Sequence, residues 1–220
     1  MTRILHIETA TKVCSVGLSE NGYLIGLKEI EEDGYAHGEQ LTILIQDLLK
    51  EQNLSTKELS ALSVSSGPGS YTGLRIGGSV AKGICYSMQI PLIGIDALTS
   101  LSAIAAKKHN QNICAVIDAR RMEVYNLISD ASLNPLKAIT ADIITEDSYK
   151  QFDPFIVCGD GSEKLQEIWK ERNCTFDLDI KSSATGQVEI AFNKFNQGQT
   201  EDLAYWEPFY LKDFIAGKKK

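Results

Sequence analysis

Residues 4–31 have the sequence ILHIETATKVCSVGLSENGYLIGLKEIE, which decides the fold because it contains three apolar runs separated by short polar turns. The runs cover residues 4–9, 14–20 and 23–31. Asn21-Gly22 separates the second run from the third, and Asn-Gly between apolar runs is the strongest short-range signal of a β-hairpin. The sequence therefore predicts that the chain begins with three antiparallel strands.

Helices and strands alternate after these hairpins. Within the predicted helix 38–52, leucine and isoleucine recur at i, i+3, i+4, i+7 and i+8, which places them on one face. Ser55-Thr56-Lys57-Glu58 has the spacing of a capping box, so a further helical turn begins there. The pattern then predicts, in chain order, a strand at 61–66, a helix at 71–88, a strand at 92–95, a helix at 97–107 capped by Asp96, and a last helix at 185–196.

Two parts of the sequence repeat at a long interval. Ile7-Glu8-Thr9-Ala10-Thr11-Lys12-Val13-Cys14 aligns with Ile117-Asp118-Ala119-Arg120-Arg121-Met122-Glu123-Val124, and each stretch places an acidic residue between a strand and a turn. Residues 155–162 likewise resemble residues 62–70, with a strand and a glycine pair before a helix. A repeat of this length indicates a duplicated lobe rather than a solenoid.

The polar stretch Lys107-Lys108-His109-Asn110-Gln111-Asn112 is the clearest break in composition. The sequence therefore predicts an α/β protein of two similar lobes, residues 1–108 and residues 109–204. The length of 220 residues suits two lobes, since domains are most often about 100–150 residues long. The aromatic-rich segment 205–220 is expected to pack back on the first lobe.

Charge and cysteine content exclude several classes of function. The formal net charge of −7 does not suit a protein that binds nucleic acid on its own, because backbone binding needs clustered lysine and arginine. The five cysteines lack a CxxC pair, and the three histidines form neither HxxxH nor HExxH, so no metal site is expected. The start of the chain resembles neither a signal peptide nor a membrane span, and we therefore expect a cytoplasmic protein without membrane contact.

The stretch Gly67-Pro68-Gly69-Ser70-Tyr71-Thr72-Gly73 lies between a predicted strand and a predicted helix. Backbone N–H groups of such a loop can bind phosphate at the helix N-terminus. The stretch lacks the closing lysine of a P-loop, so an anion site and a tight packing turn are equal alternatives. Glu8 and Asp118 likewise could hold a hydrated metal with a nucleotide, or could be turn residues that accept local N–H groups.

The predicted helix 71–88 is small or apolar over most of its circumference. Two rows at i, i+4 spacing produce this pattern, the small residues Gly73, Gly77 and Ala81 and the branched residues Ile76, Val80 and Ile84. Such a helix must be covered on two sides. The sheet of its own lobe covers one side of the helix. The other side is covered either by another part of this chain or by another subunit that docks on the small residues. In the second case a large side chain at Gly77 would block docking without unfolding the chain.

Five segments together carry a resemblance to a known family: residues 4–11, 14–18, 67–77, 118–125 and 207–212. They are similar to the opening strands, the distinctive glycine motif, the second-lobe hairpin and the closing segment of the TsaB family. Its members are bacterial subunits of the machinery that makes the threonylcarbamoyladenosine modification of tRNA. The resemblance spans nearly the whole chain.

The resemblance implies a two-lobed fold of the actin, hexokinase and Hsp70 type, with ribonuclease-H-like lobes. It also implies a paralogous partner, TsaD, that holds the metal and modifies adenosine at position 37 of tRNAs reading ANN codons, and the ATPase TsaE. This chain would be the non-catalytic scaffold, would meet tRNA only through the complex, and could also form a homodimer. We expect no tightly bound cofactor and at most weak ATP or ADP binding at the subunit junction.

This chain departs from the family pattern at two positions. The metal motif of the transferase is HxxxH, whereas here His37 is followed by Leu41, so an inherited metal site is broken. Glu8 stands where nucleotide-binding relatives usually have aspartate. We therefore expect no catalytic residue. The alternative function is an active ATP-dependent phosphotransferase of the same fold, and a peptidase is a more distant one.

The docking surface is expected on the helices 38–52 and 71–88. The residues predicted to bind the partner are Leu41, Ile45, Leu48, Gly73, Ile76, Gly77, Val80, Ala81 and Ile84. The residues that could contact a nucleotide are Glu8, Thr9, Gly67, Gly69, Ser70, Asp118 and Arg120.

Overall fold

The fold is built on two mixed β-sheets, and the computed structural model describes residues 1–31 and 36–212. The strands of the first sheet are β1 (Arg3–Glu8), β2 (Val13–Glu20), β3 (Tyr23–Glu31), β4 (Ala61–Gly67) and β5 (Leu92–Asp96). Their order in the sheet is β3-β2-β1-β4-β5. The predicted antiparallel strands β1, β2 and β3 are confirmed, with Asn21 and Gly22 at φ of 51° and 83° in the second turn. β4 and β5 extend the sheet parallel to β1.

The second sheet repeats this topology strand for strand. Its strands are β6 (Asn112–Asp118), β7 (Glu123–Ser129), β8 (Pro135–Ile143), β9 (Phe155–Cys158) and β10 (Cys174–Asp177), in the order β10-β9-β6-β7-β8. β6 is antiparallel to β7 and parallel to β9, as β1 is antiparallel to β2 and parallel to β4. The prediction of an α/β protein with two duplicated, ribonuclease-H-like lobes is confirmed.

Within the described ranges, the sheets are covered by α1 (Ala36–Glu51), α2 (Tyr71–Met88), α3 (Ala97–Ala106) and α4 (Val188–Asn196). α1 and α2 pack on one face of the first sheet, where Ile7 and Leu62 join Leu41 and Leu48 in one apolar core. α3 packs on β6 and β7 of the second sheet. None of the described helices has the length and apolar character needed to cross a lipid bilayer.

Two segments differ from the predicted pattern. The chain after β9 forms the short 3-10 turn Glu163–Leu165 where a helix was expected by analogy with α2, and the buried Trp169 fills this side of the sheet. α4 falls in the stretch 109–204 that was predicted as the second lobe. It packs instead on the first sheet, over Ile4 and on the face opposite α1 and α2, because the chain crosses back after β10.

The C-terminal segment runs back over the first sheet. Phe209 N donates a hydrogen bond to Ser66 O (2.7 Å) at the end of β4. The half-buried Trp206 lies on α2 at Gly78, where a Cβ would be 3.1 Å from the indole ring. The rest of the predicted segment, residues 213–220, lies outside the described residues.

Candidate functional site

The first candidate site is a groove between α1 and α2 on the outer side of the first lobe, with a volume of about 700 Å³. Its apolar lining consists of Ile45, Leu49, Leu54, Val80 and Ile84. The other lining residues are Thr42, Gln46, Lys50, Asn53, Ser55 and Thr56. We call this surface the α1/α2 groove.

α2 presents a further open strip beside the groove. Ser79 and Gly83 are exposed on the side of the helix that faces away from the sheet, and we call them the α2 strip. A Cβ at Gly83 would have no neighbour within 4 Å. Two large side chains are exposed on the same helix pair, Ile43 at 48% and Tyr86 at 80%. This combination of an apolar groove with small and large exposed side chains is typical of an interface.

The row of small residues on α2 packs inside this chain, so the prediction that it receives a partner is wrong. Gly73, Gly77 and Ala81 are all buried. A Cβ at Gly73 would collide with Thr9 O, and a Cβ at Gly77 would collide with Thr9 Oγ1. The glycines therefore allow α2 to rest on the turn that follows β1, which is also why a large side chain at Gly77 cannot leave the fold intact. Thr9, predicted as a nucleotide contact, is itself fully buried.

Leu41 and Leu48 were also predicted to bind the partner, and both are core residues with exposed fractions of 0% and 1%. Their side chains pack between α1 and the sheet, so the chain itself covers them. Ile45, also predicted, belongs to the same core with an exposed fraction of 5%, whereas Ile76, Val80 and Ile84 are only partly buried. Sequence reasoning missed the α2 strip, although its position on the helical wheel opposite Gly77 was a usable signal.

The second candidate site lies at the carboxyl end of β1, on the face of the sheet that α4 covers. Glu8 is fully buried there. Its Oε1 accepts a hydrogen bond from Ala10 N (2.8 Å), and its Oε2 lies 3.4 Å from Nε2 of Gln187. Burial raises the pKa of Glu8 to about 7, and the hydrogen bonds offset this only in part. The carboxyl group therefore holds the turn after β1 from inside the protein.

Gln187 begins a chain of buried polar side chains. Its Nε2 donates to Ile7 O (2.9 Å), and its Oε1 accepts from Ser63 Oγ (2.7 Å). Because Ser63 has one hydroxyl proton, His6 Nδ1 must donate to Ser63 Oγ (2.7 Å), and His6 Nε2 then accepts from Ser19 Oγ (2.8 Å). Burial lowers the pKa of His6 to about 3, so the ring is neutral, as these hydrogen bonds require.

The residues that cover this polar face form the 3-10 turn Ala184–Gln187, which we call the interlobe turn. It contacts β1 and β2 on one side and α3 on the other. Ala184 N donates to Ser15 Oγ (2.9 Å), and a Cβ at Gly186 would collide with Ser100 of α3. Ligands of open α/β sheets usually bind outside the carboxyl ends of the strands. At β1 that position is closed by the chain itself.

The glycine-rich stretch before α2 is a packing turn. Ser70 N donates to Ala10 O (2.6 Å). A Cβ at Gly69 would collide with Ala10 O, and a Cβ at Gly67 would lie 2.8 Å from Phe209 O. Gly67 also has a φ of 97°, which favours glycine. Of the two alternatives, these contacts favour the packing turn, since an added side chain at Gly67 or Gly69 would meet the backbone of Phe209 or Ala10.

The structure does not bring Glu8 and Asp118 to a common open site. Asp118 is exposed, pairs with Lys164 and accepts a hydrogen bond from Arg120 N (2.8 Å), whereas Glu8 is enclosed. Of the residues predicted to contact a nucleotide, only Ser70, Asp118 and Arg120 are exposed. The turn-residue alternative therefore describes both acids, each of which accepts a local backbone N–H.

His37 and Leu41 stand where the transferase motif HxxxH would place two metal ligands. His37 Nε2 donates to Thr11 O (2.7 Å), because a carbonyl oxygen can only accept. Across residues 1–31 and 36–212, no three histidine, cysteine, aspartate or glutamate side chains are grouped so that they could hold a metal ion. His37 thus joins α1 to the turn after β1.

Comparison with known proteins identifies the relatives of this chain. The family model of TsaD, tRNA N6-adenosine threonylcarbamoyltransferase, matches residues 31–209. The tRNA threonylcarbamoyladenosine biosynthesis protein TsaB of Escherichia coli is 29% identical, over 99% of this chain and 97% of its own length. The protein of the same name from Haemophilus influenzae is 27% identical, over 98% of this chain and 96% of its own length.

Solved structures show the same architecture. YeaZ from Pseudomonas aeruginosa has a TM-score of 0.83 at 22% identity, covering 96% of this chain and 100% of that chain. Component A of (R)-2-hydroxyglutaryl-CoA dehydratase from Acidaminococcus fermentans shares the fold at a TM-score of 0.53 and 7% identity, covering 88% and 99%. Because the family model spans most of the chain and the TsaB proteins match it nearly end to end, the chain belongs to the TsaB family, within the group that the TsaD model describes.

Proposed function

We propose that this chain is a non-catalytic subunit in the formation of N6-threonylcarbamoyladenosine on tRNA, and that it docks a TsaD transferase through the α1/α2 groove. The observation that carries the proposal is the groove together with the α2 strip. Among the described residues of α1 and α2, Val80 and Ile84 are only half-buried and Ile43 and Tyr86 are exposed, and monomeric proteins rarely expose contiguous apolar surfaces without a partner. TsaE and tRNA would join through the complex.

The relatives support the biological role. Those that match the whole chain are named tRNA threonylcarbamoyladenosine biosynthesis proteins, and the matching model is that of a threonylcarbamoyltransferase. A member of this family is expected to serve the same modification. Because the TsaD model also describes this chain, the two proteins share one fold, and equivalent surfaces can meet about a pseudo-twofold axis.

The hydrogen bonds inside the first lobe support a scaffolding role for this chain rather than a catalytic one. A phosphoryl-transfer site needs backbone donors that face the phosphate and a carboxylate that reaches a hydrated metal. Here Ser70 N bonds to Ala10 O, and Glu8 is held by Ala10 N beside Gln187. These groups serve neighbours within the chain, so we expect ATP or ADP to bind weakly and only at the subunit junction.

The two helices that border the groove are long enough to contribute to a stable interface. Such interfaces usually bury about 1,600 Å² in total, and a few central residues dominate the affinity. α1 and α2, with 16 and 18 residues, provide two long walls for this contact. A partner helix would lie over the α2 strip and insert side chains beside Val80 and Ile84.

Analytical ultracentrifugation of this chain mixed with TsaD of the same organism tests the proposal. We expect a species with the combined mass, and the chain alone reports in the same run whether it forms a homodimer. Separate sedimentation of the two proteins at every concentration would contradict docking. ATP turnover by the isolated chain that is lost in Asp118→Ala would favour the phosphotransferase alternative instead.

A further inference from the structure

Arg75 lies on the exposed side of α2, in line with the α2 strip. Arg75, Ser79 and Gly83 are spaced at i, i+4 and i+8, which places them on one side of the helix, and all three are exposed. The arginine is therefore at the N-terminal end of the surface that the proposed function assigns to TsaD.

Two aromatic rings restrict the guanidinium group of Arg75. It lies 4.1 Å from the ring centroid of Tyr71, one turn earlier on α2, and 5.9 Å from that of Tyr210 in the C-terminal segment. The two rings contact each other, with their centroids 4.8 Å apart. The attraction between a cation and the face of an aromatic ring thus orders this side chain before any partner binds.

The exposed side of α2 carries positive charge, although the whole chain has a formal net charge of −7. α2 contains no acidic residue. Its other charged residue, Lys82, donates to the carbonyl oxygens of Ala204 (3.3 Å) and Trp206 (2.9 Å) in the C-terminal segment. Among residues 1–31 and 36–212, none of the ion pairs includes Arg75. Charge complementarity therefore favours an anionic group on the protein that docks here.

We propose that Arg75 binds a carboxylate side chain of the docked protein and so sets the position of that protein on α2. The inference rests on the proposed function, because it takes TsaD as the docked protein. A guanidinium group matches a carboxylate with two parallel N–H···O hydrogen bonds. Because the rings already order Arg75, little further freedom is lost when these bonds form. We expect an aspartate or a glutamate of TsaD opposite the first half of α2.

A protein carboxylate suits this position better than a phosphate of tRNA. Surfaces that bind nucleic acid cluster several lysines or arginines. Here Arg75 is followed on its row by Ser79 and Gly83, and the adjacent row of α2 contains the apolar Val80 and Ile84. A single arginine beside small and apolar residues is instead typical of a protein interface, in which arginine is enriched.

Calorimetric titration of the chain with TsaD of the same organism, in about 0.1 M and in about 1 M salt, tests the inference. The Debye length falls from about 10 Å to about 3 Å between these conditions, which weakens a charge pair. We expect Arg75→Gln to bind at least about tenfold more weakly in the lower salt, and this difference to shrink to about threefold or less in the higher salt. Arg121→Gln removes the same charge at an exposed position of the second lobe and should bind as the unaltered chain does.

Two further variants separate the charge of Arg75 from its packing. Tyr210→Leu keeps the charge but removes one ring, so binding should weaken by only about two- to fivefold. A loss as large as that of Arg75→Gln would mean that the ring stack, and not the charge, determines binding. Arg75→Lys keeps the charge without the planar group, so its affinity should lie between those of Arg75→Gln and the unaltered chain.

The outcomes distinguish this inference from docking itself. If Arg75→Gln binds as tightly as the unaltered chain, the inference is wrong and docking stands. An affinity loss of equal size at both salt concentrations would also overturn it, because Arg75 would then contact no opposite charge. A loss that appears only when tRNA is added would assign the arginine to a phosphate instead. An unaltered chain that does not bind TsaD would contradict the proposed function, and the inference with it.

Discussion

Thr9 lies directly against Gly77, so that one methyl group added at position 77 would collide with Thr9 Oγ1. Both residues are buried, and Thr9 O is equally close to Gly73. α2 thus rests on the turn after β1 through its glycines. The exposed side of α2 is on the other side of the helix, at Ser79 and Gly83.

Gly77→Ala should destabilise the chain by about 2 kcal/mol. The free-energy cost of overpacking the contact with Thr9 exceeds the gain from the higher helix propensity of alanine. Urea unfolding followed by circular dichroism measures the change. Gly83→Ala is the matched control on the same helix, and it should stabilise the chain by up to about 1 kcal/mol because its Cβ meets open space. Equal stability of the two variants would show that the packing at Thr9 is looser than described.

Trp206→Ala should release the C-terminal segment from the first lobe. The indole fills the space over Gly78, and Lys82 Nζ donates to the carbonyl of Trp206 (2.9 Å). We expect a loss of about 2 kcal/mol, below the usual cost for a fully buried tryptophan, and faster cleavage of the segment by protease. Tyr205→Ala removes an aromatic ring that is 86% exposed and should change neither property. Resistance of Trp206→Ala to proteolysis would contradict the anchoring role.

Asp142 should give the chain stability that is lost only in strong acid. Burial raises its pKa, but hydrogen bonds from Tyr149 (2.7 Å), Lys137 and Thr140 (2.9 Å) outweigh this and lower the pKa to about 2. A lowered pKa stabilises above the ordinary value of 3.8, and the contribution disappears as pH falls through 2. Because the group is partly exposed, we expect about 1 kcal/mol.

Denaturant unfolding of Asp142→Asn at pH 6 and at pH 2 measures this contribution. The variant should be less stable than the unaltered protein at pH 6, and the difference should vanish towards pH 2. Asp179→Asn, at an exposed position of the same lobe, serves as the control and should show no difference at either pH. An Asp142→Asn variant as stable as the unaltered protein at pH 6 would rule out the stabilising network.

Local signals explain the parts of the fold that the sequence predicted well. β3 was predicted at residues 23–31 and α2 at residues 71–88, and both are observed with these bounds. Asn21 and Gly22 form the two-residue turn between β2 and β3. The side chain of Ser70 caps α2 by accepting a hydrogen bond from Gly73 N. Turn and capping signals depend on residues that are neighbours in sequence, so tertiary contacts with the rest of the chain do not change them.

Contacts between distant segments explain what the sequence could not predict. Periodicity identifies two rows on α2, at Gly77 and at Val80, but it does not say which row the turn at Thr9 will meet. The enclosure of Glu8 depends on Gln187, which is far away in sequence and carries no motif. Asp118 occupies the corresponding position of the repeat yet is exposed and paired with Lys164. Equivalent sequence positions in duplicated lobes therefore need not keep equivalent environments.

Calorimetric binding of Gly83→Leu to TsaD is the most direct test of docking at the α1/α2 groove. The leucine side chain would project into open space on the isolated chain and into the path of a partner helix in the complex. Asn193→Leu adds the same side chain at an exposed position of α4, on the other face of the sheet, and should bind normally. We predict that Gly83→Leu loses at least about a hundredfold in affinity, as central interface positions do, with a melting temperature equal to or above that of the unaltered chain. Binding of Gly83→Leu as tight as that of the unaltered chain would contradict docking at this surface.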